Sequence, residues 1–150
     1  MDRNAFIKII DTNLKLIRNE SNFTQDKMAE TIGISKKTLV QIEKERASLG
    51  WMGAVAVASI FKNSKIMQMN FGGDVEDIIL SLAFKKYELD YENTLGGKVW
   101  WRDVEKCNNY KIQQNIISNH YRILNEQNKR ISSSFDLDYM KKRLAELANI

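Results

Sequence analysis

The sequence predicts an α+β protein. An all-α bundle of about five helices over residues 1–86 is followed by a small antiparallel β-meander and a C-terminal helix over residues 87–150. Three observations predict it. Apolar residues recur at three- and four-residue spacing through the first half, the period of helices packed on a core. From Tyr87 the chain turns to short aromatic and β-branched runs separated by asparagines, the pattern of strands joined by tight turns. Residues 136–148 then return to the helical period.

Residues 3–20 read as an amphipathic helix with Phe6, Ile9, Ile10, Leu14 and Ile17 on one face, ending in the polar stretch Asn19 to Asn22. Thr24 caps the next helix, whose inward residues are Met28, Ala29 and Ile32. Residues 48–61 are apolar nearly all round, which predicts a helix buried on several sides, with a subunit contact as the competing reading. Lys62 to Asn70 is ambiguous, with a short helical turn carrying Ile66, Met67 and Met69 as its one regular reading. After Gly72-Gly73, Asp74 caps a helix running through Lys86. The polar stretch 87–97 is a linker. Strands are expected near 99–106, 110–117, 120–125 and 129–134, with turns at Asn108-Asn109, Ser118-Asn119 and Asn125 to Asn128, because asparagine tolerates positive φ. Trp100, Trp101, Tyr110 and Tyr121 are expected as the core of this sheet. Asp136 caps the terminal helix, with Leu137, Met140, Leu144 and Leu147 on one face.

The stretch Thr24 to Arg46 organises the first half. Two short helical patterns flank the turn Gly33-Ile34-Ser35, and Ser35 is placed to N-cap the second. In that second helix, read over residues 35–45, Leu39 and Ile42 share one face with Ser35 and Thr38 beside them. At about 100° per residue, Lys36, Lys37, Val40, Gln41 and Lys44 occupy the opposite arc. A helix pair crossing at a glycine turn can hold its second helix out for a major groove. The outward residues suit that place: cations for guanine edges and phosphates, an amide for adenine, a branched apolar group for a thymine methyl. On spacing alone, an αα-hairpin with a solvated polar face is the competing reading.

Leu14, Arg18, Phe23-Thr24-Gln25, Met28-Ala29, Ile32-Gly33-Ile34-Ser35, Thr38-Leu39, Ile42-Glu43 and Arg46 together resemble the phage-repressor/Cro-like (XRE-type) helix-turn-helix pattern. The resemblance covers about 50 residues, Leu14 to Phe61. It implies sequence-specific binding of double-stranded DNA, usually as a homodimer, to control transcription. By position it implies that Gln25 opens the first helix of the motif beside a phosphate. Lys36, Lys37 and Gln41 fall at base-reading positions, and Ser35, Thr38, Lys44 and Arg46 at the backbone clamps or beside them. It also places a cation, Arg18, where it meets Glu43 as a structural ion pair. Two departures bear on the exit of the second helix, which is expected to differ from the family's: Glu45 stands where glycine is common, and no proline follows Arg46.

Charge agrees with this reading. The net charge is +4, and residues 1–70 hold 11 lysines and arginines against 7 acidic residues, whereas residues 71–150 hold 12 against 12. The positive excess lies where a DNA footprint belongs. One cysteine, Cys107, forbids an internal disulfide and suits a reducing compartment. With one histidine, His120, no metal cluster is expected, and no glycine-rich phosphate loop or catalytic constellation occurs. No enzyme and no cofactor is therefore expected. No signal peptide is visible, and the longest apolar run, residues 49–61, falls short of the roughly 20 residues a membrane span needs. The expectation is a cytoplasmic regulator without membrane contact, with residues 1–86 as the DNA-binding domain. Residues 87–150 serve dimerisation or receive a protein partner or small-molecule effector. The alternative is an antitoxin-like protein that binds a partner protein through its C-terminal unit and autoregulates its operon.

Overall fold

The computed structural model describes residues 1–84 and 100–149. The chain divides into two units, Met1–Leu89 and Asp90–Ile150. The expected linker 87–97, the boundary at residue 86 and the first residue of the first expected strand lie outside the described residues.

The first unit holds six helices among the described residues: α1 (Arg3–Glu20), α2 (Gln25–Ile32), α3 (Lys36–Glu43), α4 (Gly50–Ile60), α5 (Lys65–Phe71) and α6 (Val75–Ala83). Side chains of Asp2, Thr24, Ser35, Ser64 and Asp74 each accept a backbone N–H in the first turn of α1, α2, α3, α5 and α6, replacing a bond the helix cannot make for itself. The ambiguous stretch before Gly72 is thus a full helix, α5. Ser64 caps its start, Gly72 (φ 71°) closes its end, and Met67 anchors it in the core.

Three corners of the bundle close in the same way. After α1, α2 and α3, the residues Asn22, Gly33 and Glu45 adopt left-handed backbone at φ 55°, 76° and 58°. The amide that follows each turns back to a carbonyl five residues earlier: Phe23 to Arg18, Ile34 to Ala29 and Arg46 to Gln41. This is the Schellman closure, which satisfies carbonyls left over at the helix end. It also ends α3 at Glu43, two residues short of the span read from the sequence.

One core joins the six helices. Phe6, Ile10, Leu14 and Ile17 of α1 pack with Met28, Ala29, Leu39, Ile42, Ala54, Val57, Ala58, Met67 and Val75, all buried. The ring of Phe6 meets Trp51 and Phe71 with centroids 5.7 and 5.1 Å apart. Arg3 lies over Trp51 and donates to the carbonyls of Leu82 and Ala83, tying the start of α1 to the end of α6. Helix α4 is less enclosed than its composition predicts. Ala54, Val57 and Ala58 face inward, but Met52 and Ile60 are exposed.

The second unit is a meander, β1 (Trp101–Cys107), β2 (Tyr110–Asn115), β3 (Tyr121–Leu124) and β4 (Arg130–Ser134), followed by α7 (Leu137–Ala148). All three pairings are antiparallel, in the order β1-β2-β3-β4. Asn108, Asn119 and Asn128 supply positive φ at the three turns. Strand β2 stops at Asn115, short of 117, because the Asn115 carboxamide accepts the amides of Ile117 and Ser118 and folds the chain over. Helix α7 covers one face of the sheet, burying Ile112, Ile123, Met140 and Leu144, with Tyr110, Tyr121 and Cys107 packed alongside. Trp100 and Trp101 are not in that core. Trp100 is exposed, and Trp101 lies against the guanidinium of Arg122 at 3.7 Å.

Candidate nucleic-acid interface

Helix α3 is held by its inner face and open on its outer one. Leu39 and Ile42 are fully buried under α1 and α2, fixing the rotation of the helix about its axis. Lys36, Lys37 and Thr38 are then exposed, and Val40 and Gln41 half-buried on the outward arc. Ser35 caps the helix through a 3.0 Å bond from the Thr38 amide, and its hydroxyl lies 2.9 Å from that of Thr38. Lys44 and Arg46 stand exposed at the Schellman corner on either side of Glu45.

The base of the motif is an ionic lock. Arg18 of α1 donates from Nε and Nη2 to the two oxygens of Glu43 at 2.6 and 3.1 Å, and from Nη1 to the carbonyl of Phe23 at 3.0 Å. Gln25 of α2 donates its amide to the same carboxylate at 3.0 Å. Three helices are thereby fixed on the Glu43 carboxylate, and Arg18 ties in the turn between α1 and α2 through the Phe23 carbonyl. Both charged groups are nearly enclosed, at 12% and 5% exposure. Burial alone raises the Glu43 carboxyl, but the hydrogen bonds from Arg18 and Gln25 and the charge of Arg18 outweigh it, and its pKa lies below the ordinary glutamate value. Gln25 is therefore oriented by Glu43, which sequence reasoning missed because the partner lies 18 residues away on another helix.

Lys36 is also engaged, with its ammonium 2.9 Å from Asp26 across the helix pair. Both side chains are more than half exposed, so the pair contributes little and can be exchanged for another anion. Lys37, Lys44 and Arg46 enter no ion pair among the described residues. The exit of α3, expected to differ for want of a glycine, instead keeps the glycine-type closure, with Glu45 taking the left-handed turn. In the second unit, His120 sits at a turn with its ring edge-on to Trp101, centroids 4.9 Å apart, a packing position.

Comparison with protein families matches residues 12–66 to a helix-turn-helix domain. No curated protein and no solved structure matches the chain.

Proposed function

We propose that this chain, which carries over residues 12–66 a helix-turn-helix domain of the kind found in XRE-type regulators, is a sequence-specific transcriptional regulator that reads a major groove with α3. The domain itself supports a DNA-binding regulator in general. The observation that carries the finer reading is the division of α3. Leu39 and Ile42 are buried, while Lys36, Lys37, Val40 and Gln41 face outward from a helix locked at its base by Arg18, Gln25 and Glu43. Those four outward residues supply the base contacts; Gln25, Ser35, Thr38, Lys44 and Arg46 grip the phosphates around them.

The regulator acts as a homodimer. One α3 offers three or four base contacts, too few to select one site among the roughly million or more competitors in a genome. Two copies related by a two-fold axis double the sequence read, with half-sites about 34 Å apart on one side of the duplex. Light scattering of the protein should give about twice the chain mass of 17.4 kDa. Inserting about five base pairs, half a helical turn, between the half-sites should abolish operator binding. A monomer on DNA that is indifferent to the insertion overturns the dimer.

A further inference from the structure

A second cationic surface lies on the sheet, far along the chain from α3. Lys106 of β1 pairs directly with Lys111 of β2, Lys111 with Leu124 of β3, and Leu124 with Arg130 of β4. Residues paired across a sheet share a face, and neighbours along a strand alternate except at a bulge, such as the one in β4 where Ile131 and Arg130 both lie opposite Leu124. Since Ile112 is buried under α7, the row headed by Lys111 lies on the other face. Three of its four members are cations, and like charges placed directly opposite one another disfavour the sheet. Among the described residues, Lys106, Lys111, Arg122 and Arg130 enter no ion pair.

Arg122 adds a fourth cation on the same face. Its guanidinium lies over the Trp101 ring, 3.7 Å from the centroid, and donates from Nε and Nη2 to the side-chain oxygen Oε1 of Gln113. Burial, and then the nearby charge of Arg130, lower its pKa. The acidic residue of this face, Asp103, is occupied by the Gln113 amide. Beside the row, between the β1–β2 and β3–β4 turns, is a hollow of about 220 Å³ lined by Lys106, Lys111 and four asparagines, with Glu126 as its acidic member.

We propose that this face, where Lys106 and Arg130 are exposed and Lys111 is half-buried beside the buried Leu124, is a second nucleic-acid contact, in which Lys106, Lys111 and Arg130 bind the phosphate backbone of a DNA duplex. Three steps between strands about 4.8 Å apart give the row a length of about 14 Å. One strand of a duplex presents a phosphate about every 3.4 Å of axis, so the row faces several of them. Lysine ammoniums serve phosphates as point charges, and the asparagine amides at the turns add neutral donors. The choice of a duplex over another polyanion rests on the reading of residues 12–66 as DNA-binding.

The test uses the full chain, a short duplex of arbitrary sequence, and binding measured across a range of salt. The variant Lys106→Gln/Lys111→Gln/Arg130→Gln should reduce the slope of log affinity against log salt by about 2.7, or 0.9 for each phosphate it no longer neutralises. The charge-conserving variant Lys106→Arg/Lys111→Arg/Arg130→Lys should bind as the parent does, which separates the effect of charge from that of fold. An unchanged slope in the glutamine variant overturns the proposal, as does an equal weakening in the charge-conserving one. Loss of binding to a polyglutamate peptide with duplex binding intact also overturns it, in favour of an acidic protein partner. A Lys36→Gln/Lys37→Gln variant measured in parallel reports on α3 separately. Discrimination between enriched and scrambled sites that survives it overturns the α3 reading and leaves the sheet proposal standing.

Discussion

Arg18 and Glu43, 25 residues apart in sequence, meet in a two-pronged ion pair that joins the first helix of the bundle to the end of α3. Neither charge has much access to water, so removing one leaves the other desolvated and unpaired. Such losses cost about 3–5 kcal/mol when burial is complete. With the remaining exposure of Arg18, Arg18→Ala should destabilise the protein by about 3 kcal/mol in denaturant unfolding. Arg18→Ala and Glu43→Gln together should cost less than the sum of the single changes. A loss below about 1 kcal/mol for Arg18→Ala would place the pair among surface bridges.

The same carboxylate makes stability depend on acid. Its folded pKa lies below the ordinary value, so the unfolded chain takes up the proton first as pH falls. The stabilisation is fully present above the unfolded pKa of about 4.3 and is lost as pH falls through the lower folded value. Glu43→Gln should therefore lower stability at neutral pH and flatten its decline between about pH 5 and the folded pKa. Thermal unfolding across that range reads both effects, and a parallel decline in the two proteins would assign the acid sensitivity to other groups.

Glu45 carries a backbone conformation that costs an L-residue roughly 1–2 kcal/mol. Glu45→Gly removes that cost and adds chain entropy to the unfolded state, worth about 0.5–1 kcal/mol in the other direction. The net expectation is a gain of about 0.5–1 kcal/mol in denaturant unfolding, with Glu45→Ala giving none.

Much of the fold was legible because its signals are local. Thr24, Ser35, Asp74 and Asp136 cap helices where a short polar side chain precedes an apolar period, and Asn108, Asn119 and Asn128 turn where asparagine interrupts β-branched runs. The burial of Leu39 and Ile42, and hence the outward arc of α3, follows from the same period. What was not legible depends on contacts distant in sequence. The bond from Gln25 to Glu43 and the turning of Lys36 to Asp26 are choices of side-chain direction between helices. Trp101 lies outside the sheet core because Arg122 offers its indole a cation on the other face. Glu45 keeps the left-handed turn although it lacks glycine's freedom, because the Schellman bonds and the buried Ile42 fix the chain on both sides.

Base choice and grip should separate by residue. Gln41→Ala should reduce discrimination among sequences by about 1–3 kcal/mol, the worth of a bidentate amide–base pair. Arg46→Ala should weaken matched and scrambled sites about equally and lower the salt slope by about one. Binding of each variant to both sites, titrated at several salt concentrations, distinguishes them. A change of base preference in Arg46→Ala with none in Gln41→Ala reverses the assignment.

The central claim is that the outward arc of α3 selects a DNA sequence, and recovering bound duplexes from a random pool with the purified full chain tests it most directly. The account predicts a single enriched motif with two inverted half-sites whose centres lie about 34 Å apart. It also predicts that the enriched bases change or vanish with Lys37→Ala or Gln41→Ala while the spacing persists. A pool that stays random, or a motif identical in the parent and both variants, would contradict it.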